Sequence, residues 1–229
     1  MTVVISNKGP QPLICPRTTS GLKIMWHRKM KAAYEWPITF ILLLGLLPLM
    51  LVIAVLVRRD GGPTFFIQSR EGLHGRPIRI LKFRTLHTSY CNPYARSSTD
   101  INPASITDFG SVLRQTGLDE LPQLFNILKG DMSLVGPRPH VLKMEVGGQT
   151  YADIVPHYSQ RLEVRPGITG LAQVQGWCGP VKTAEHAHAR IASDCFYIEN
   201  WSPWLDLKIL VATAVRLVRM LGNRRWAAQ

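Results

Sequence analysis

A chain of 229 residues with 46% hydrophobic and only 18% charged side chains is long enough for one substantial core and too apolar for a disordered polyampholyte. Its formal net charge of +12 points to a polyanionic partner (nucleic acid, an anionic membrane face or phosphorylated substrates), and composition alone does not choose among the three. Cys15, Cys91, Cys178 and Cys195 lie far apart with no CxxC pair, which argues against a disulfide framework or a zinc site and fits reduced thiols facing the cytosol.

Residues 1–21 are polar, contain Pro10, Pro12 and Pro16, and read as a loose tail. Residues 22–35 are basic, carry Trp26 and Tyr34, and predict a helix lying in a membrane interface. The run Ile38–Val57 then holds no charge, and as a helix it would reach ~30 Å, the thickness of a bilayer's hydrocarbon core. It starts too far along the chain for a cleaved signal peptide and ends in Arg58-Arg59-Asp60 with no small-residue cleavage site. Lys23, Arg28, Lys29 and Lys31 precede the run and Arg58 and Arg59 follow it, so both flanks favour the cytoplasmic side. Pro48 sits at its middle, where a bend is expected. Two geometries meet these features: a re-entrant hairpin that enters and leaves on one face, and an ordinary kinked spanning helix.

Asp60-Gly-Gly-Pro63 predicts a turn, and two short strands follow near Phe65–Ser69 and Ile78–Phe83 around the turn-like Gly72–Pro77. Residues 88–104 are polar, with Asn92-Pro93 and Asn102-Pro103, and read as a loop. A helix is expected over Ile106–Gln115, capped by Ser105 and ended by Gly117. A second is expected from about Asp119 to Gly130, with Pro122 in its first turn. Gly136-Pro-Arg-Pro139 reads as a rigid loop, and Pro166–Gly170 as a turn into a strand over Leu171–Val174. Residues 182–199 look helical, and a last helix over Pro203–Leu221, bracketed by Trp201, Trp204 and Trp226, is either interfacial or a core helix.

The densest chemistry lies in Gly117-Leu-Asp-Glu-Leu-Pro-Gln123. Adjacent carboxylates at a helix start suit a nucleophile, a Mg²⁺ ligand or simply an N-cap and a first-turn acid. Lys82, Arg84, Arg114, Arg138 and Arg165 each lie in or beside a stiff turn or an element end, and several such cations beside one acidic pair suit a diphosphate held with a metal. His186-Ala-His188 does not place its rings on one helical face, and the chain has no dinucleotide fingerprint, P-loop or nucleophile elbow.

Several stretches in order carry a family resemblance: Gly62-Pro63, Gln68-Ser-Arg70, Lys82-Phe-Arg-Thr85, Leu118-Asp-Glu-Leu-Pro-Gln-Leu124, Asn126 to Pro139, Arg161, and Arg165 to Val174. Over about residues 36–210 the chain resembles the bacterial polyprenyl-phosphate hexose-1-phosphate transferases, the monotopic phosphoglycosyl transferases, and within them the short exopolysaccharide type. The resemblance implies an α/β fold, mostly helical with a few short strands. It divides the chain into a tail and basic interfacial segment (1–35), a re-entrant membrane helix-hairpin (36–59) and a cytosolic catalytic domain with a C-terminal interfacial helix (60–229). It implies that Asp119 is the nucleophile on the β-phosphate of a UDP-sugar, with UDP-galactose and UDP-glucose the commoner donors. Undecaprenyl phosphate then takes the sugar phosphate from that carboxylate. Glu120 supports the metal or proton transfer, Mg²⁺ bridges the acidic pair and the diphosphate, and Lys82, Arg84, Arg114, Arg138 and Arg165 hold phosphates. The catalytic domain is expected on the cytoplasmic face of the bacterial inner membrane, in contact with lipid. Two departures stand out: Leu47-Pro48 replaces the family's Ser-Pro at the bend, and Leu86 ends its KFRTM motif. A nucleic-acid or anionic-lipid binder explains the charge but not the acidic pair, and an inert scaffold is at odds with an intact Asp119-Glu120.

Overall fold

The basic segment and the apolar run form one helix. The computed structural model describes residues 21–59, 61–91, 103–146, 148–181 and 183–222. The tail before residue 21, Asp60, most of the 88–104 loop and Trp226 lie outside these. Helix α1 (Gly21–Arg58) passes Pro37 and Pro48 without ending. One helix therefore runs through residue 35, the expected boundary. The helix is held at that junction by Lys31, Tyr34 and Glu35, which bond to the body of the protein. Along α1, Thr39, Leu43, Met50, Ile53 and Val57 are buried at spacings of three, four or seven, which is one stripe of a helix. Phe40, Ile41, Leu44, Leu51, Val52 and Val55 on its other sides are exposed. Among the described residues, Lys29–Arg58 is long and apolar enough to cross a membrane.

The two expected strands form an antiparallel hairpin, β1 (Phe65–Glu71) and β2 (Pro77–Phe83), with Phe66 opposite Lys82. Helix α2 (Asp108–Thr116) starts two residues later than expected and is capped by Thr107, whose hydroxyl accepts from the Gly110 amide at 2.9 Å; Ser105 is not the cap. Gly117 ends it in the left-handed conformation (φ 70°), as anticipated. The next expected helix divides in two: a 3₁₀ turn, Leu118–Glu120, precedes α3 (Gln123–Lys129). Pro122 has no amide to donate back to Leu118, so Leu121 and Leu124 instead make i→i−3 bonds. The acidic pair thus lies on a tight turn between two helices.

Strand β3 (Ser133–Val135) pairs in parallel with a later strand. A small hairpin, β4 (Glu145–Val146) with β5 (Gln149–Thr150), leads into the single-turn α4 (Tyr151–Ile154). The strand partnering β3 is β6 (Gly167–Thr169), and Leu171–Val174, expected as a strand, is the helical turn α5. The shift has a steric origin. A side chain at Gly167 would sit 2.1 Å from the Gly136 amide nitrogen, so only a glycine lets the β3 and β6 backbones approach. Helices α6 (Ala184–Glu199) and α7 (Pro203–Gly222) complete the chain. The fold is mostly helical with a few short strands, as expected.

Two buried clusters result. One joins α1, β2, α2, α3, β3 and α7 through Leu43, Phe83, Leu113, Ile127, Val135 and Ile209. The other joins the 139–158 region to α6 through Val141, Tyr151, Tyr158, Ile191 and Cys195. Helix α7 buries Asp206 and Ile209 but exposes Trp204, Leu207, Val211, Val215 and Val218. With the outer sides of α1, this leaves many large apolar side chains exposed on two helices.

Candidate active site

Asp119 and Glu120 share the tight turn after α2 but have opposite surroundings. Both carboxyls line a cavity of about 1110 Å³. Glu120 is bound twice: Lys82 Nζ donates to Oε1 at 2.6 Å, and Arg138 forks onto both oxygens at 2.5 and 3.2 Å. Burial alone would push the Glu120 pKa up, but these two cations hold it well below the usual carboxylate range. Asp119 is only 9% exposed, and among the described residues no hydrogen bond takes up its carboxylate. Burial raises its pKa, against the pull of Lys82, Arg138 and Arg114. The pair is therefore a fixed anion beside an unengaged one.

Each cation reaches the cavity for a local reason. Lys82 stands near the end of β2, and β2 is held to α3 by Asn126, whose amide bridges the Arg79 carbonyl (2.7 Å) and the Leu81 amide (3.0 Å). Arg114 lies in the last turn of α2, and its Nε donates to Thr85 Oγ1 at 2.7 Å. Arg138 projects from the Gly136–Pro139 loop, which the Gly136 amide fastens to Thr169 and the Gly167 amide fastens back to Pro137.

Two expected phosphate ligands are placed otherwise. Arg84 borders the cavity, but its guanidinium donates to three main-chain carbonyls: Pro63 at 2.6 Å, Leu86 at 2.9 Å and Val57 at 2.9 Å. It ties the end of α1 to the catalytic body, since the last carbonyls of a helix need outside donors. Arg165 is not on this cavity; it borders a small separate one beside Lys31, Glu35 and Ser133. The Pro166–Gly170 turn aims its preceding residue toward α1, a long-range fact the local motif does not encode. Conversely, Gln68, Arg70, Gln173, Cys178 and Arg216 line the main cavity and were not singled out for it. Gln68-Ser-Arg70 fell within a resembling stretch, which was the available signal. Arg216 lies on α7, whose Lys208, Arg216 and Arg219 on an apolar helix fit an interfacial helix or a core helix alike.

Part of the cavity's lining is apolar. Leu42 and Leu46 of α1 and Leu210 and Leu217 of α7 face the same space as the acidic pair. Cationic and apolar side chains thus line one chamber.

Among the described residues, no group of three or more His, Cys, Asp or Glu side chains is placed to hold a metal. Mg²⁺ needs fewer protein ligands than that: it commonly takes one or two carboxylates and completes its shell with water and substrate phosphates. Both Glu120 oxygens are already engaged by cations, whereas the Asp119 carboxylate is available. The residues present fit Mg²⁺ in that limited form.

The family model for bacterial sugar transferases matches residues 26–220. The chain is 43% identical over 187 residues to an exopolysaccharide production protein from Rhizobium leguminosarum bv. phaseoli, covering 81% of this chain and 94% of that one. It is 45% identical over 189 residues to a UDP-glucose:undecaprenyl-phosphate glucose-1-phosphate transferase from Xanthomonas campestris pv. campestris, covering 82% of this chain but 38% of that longer protein. It is also 40% identical over 182 residues to a UDP-N-acetylgalactosamine-undecaprenyl-phosphate N-acetylgalactosaminephosphotransferase from Aeromonas hydrophila, covering 77% of this chain and 41% of that one. A match running from the first turns of α1 almost to the end of α7, over the acidic turn and every cation around it, leaves one assignment: the chain is an enzyme of the bacterial sugar transferase family.

Proposed function

We propose that the chain transfers a sugar 1-phosphate from a UDP-hexose to undecaprenyl phosphate, in two displacements on one phosphorus. In the first, an Asp119 carboxylate oxygen attacks the β-phosphorus of the donor. The bond to the bridging oxygen breaks, UMP leaves, and the sugar phosphate is held as an acyl phosphate. In the second, a phosphate oxygen of undecaprenyl phosphate attacks that phosphorus and expels Asp119, giving undecaprenyl-diphosphate-hexose. UDP-glucose is the first donor to try, on the name of the Xanthomonas relative; UDP-galactose and UDP-N-acetylgalactosamine are the competitors.

One observation carries this reading. Of two adjacent carboxylates in a cavity, one is immobilised by two cations and the other is unengaged and poorly solvated. Poor solvation makes a carboxylate a better nucleophile, and the fixed cations lie where charge develops on the phosphoryl oxygens. Asp119 would hold Mg²⁺, which would supply further neutralisation of the phosphoryl charge. Lys82, Arg138 and Arg114 orient the diphosphate.

The membrane geometry belongs to the same proposal. Lys31 and Glu35 in the first half of α1 bond to Asp206 and Ser133, and the Val57 carbonyl near its C-terminal end accepts from Arg84. Of these anchors, Val57 lies 26 residues from Lys31 and 22 from Glu35, ~39 and ~33 Å along a helix, against ~30 Å of hydrocarbon. A fully spanning α1 would put them on opposite sides of the bilayer with one domain holding both. We infer that α1 enters and leaves on the cytoplasmic face, where UDP-sugars are, with Pro48 its deepest point.

The test is to incubate the detergent-extracted protein with UDP-glucose alone, in Mg²⁺ and again in EDTA. The Mg²⁺ sample should release UMP stoichiometrically and add a hexose phosphate to the peptide containing Asp119. EDTA and Asp119→Asn should each abolish both signals. UMP release without adduct on that peptide would overturn the covalent step.

A further inference from the structure

The loop that carries Arg138 is held from behind by residues remote from the cavity. Arg161, in the 3₁₀ turn Tyr158–Glu163, and Asp194, on α6, are both almost wholly buried. Arg161 Nε donates to Asp194 Oδ2 at 2.9 Å, and Arg161 Nη2 donates to the main-chain carbonyl of Arg138. On the other side, Arg70 Nη1 donates to the Pro139 carbonyl at 3.3 Å while Gln68 Oε1 fixes the rest of that guanidinium. Two guanidiniums thus grip consecutive carbonyls of one loop.

The Arg161–Asp194 pair needs a reason. Desolvating two charges is costly, and a packed apolar pair of like volume is often as stable or more so. What an apolar pair does not supply is a donor to the Arg138 carbonyl. Pro137 and Pro139 restrict their own φ, and Pro139 confines Arg138 to extended backbone, which leaves a narrower rotation of the Arg138 backbone within that region. Its rotation swings the guanidinium that forks onto Glu120.

We propose that Arg161 and Asp194 are positioning residues for the sugar-phosphate transfer: they fix the Arg138 carbonyl and thereby the guanidinium that holds Glu120. The inference rests on the proposed transfer reaction, and it gives the second buried cluster a task in that reaction. Misplacing a group at the reacting centre by ~1 Å costs up to about 100-fold in rate, so the grip is worth having.

Arg161→Lys separates position from stability. A lysine still pairs with Asp194 but has one nitrogen and does not serve both acceptors. In the full-length detergent-extracted protein, kcat for UMP release should fall about 10- to 100-fold. KM for UDP-glucose and the thermal midpoint should stay near wild type. Ile191→Val, on the same face of the same cluster, should lower the midpoint and leave kcat alone. In an Arg138→Met background, Arg161→Lys should cost nothing further, because its effect passes through Arg138. Amide exchange of residues 136–141 should speed up in Arg161→Lys and not in Ile191→Val. Wild-type kcat in Arg161→Lys, additive losses in the double variant, or unchanged exchange would each overturn the proposal. Should Arg161→Lys not fold, Asp194→Asn takes its place in every arm. If the wild-type chain releases no UMP from any UDP-sugar, the functional reading fails, and the exchange measurement still decides the grip.

Discussion

Asp119 and Glu120 are neighbours in the chain, yet folding moves their proton affinities in opposite directions. Stability should record this. Glu120 releases its proton more readily folded than unfolded. Its ion pairs therefore contribute fully above the ordinary carboxylate value of 4.5, and the contribution is lost as pH falls through the lower folded value. Measured by denaturant unfolding in metal-free buffer, Glu120→Gln should be about 3 kcal/mol less stable than wild type at pH 7, with the gap closing in acid. Asp119→Asn should go the other way and melt higher than wild type at pH 7, because the amide removes a charge that burial disfavours. The acidic pair and the cations Lys82, Arg114 and Arg138 were marked in the sequence by their density around stiff turns, and folding gathers them on one cavity. The employment of Arg84 was not legible there, because its acceptors, Val57 and Pro63, come close only through the path of the chain. Arg165 was misplaced for the same kind of reason.

At the scale of elements, regular periodicity was readable and short elements were not. The β1–β2 hairpin, α6 and α7 follow alternation or a helical stripe over enough residues to be recognised. Leu171–Val174 has four residues, too few to distinguish a strand from a helical turn. The three-residue strands β3 and β6 have no pattern at all; what makes them is a glycine approach. Gly167→Ala should accordingly force the β3–β6 backbones apart and cost about 1–3 kcal/mol, read as a drop in the denaturant midpoint. Because that pairing fastens the Gly136–Pro139 loop, the variant should also lose UMP release beyond what its residual fold explains. Helix α1 shows the opposite limit: the sequence marked two segments, but bonds from Lys31, Tyr34 and Glu35 to the domain carry one helix through both.

For the whole molecule, the placement of apolar surface matters more than the net charge. In the proposed membrane geometry the outer faces of α1 and α7 would seat the protein in lipid, and both anchors of α1 are on the catalytic body. Reporter tags at residues 1 and 229 should both be cytoplasmic; a tag on the far side would mean that α1 spans. The chamber beside Asp119 is lined in part by Leu42, Leu46, Leu210 and Leu217, from the same two helices that expose apolar outer faces. A carrier that arrives along this wall is dissolved in the membrane film and never in the aqueous phase. Its effective concentration is therefore a mole fraction of amphiphile rather than a molarity. Adding inert detergent at constant carrier should slow product formation in proportion to dilution of the film, while the carrier-independent burst of UMP keeps its rate.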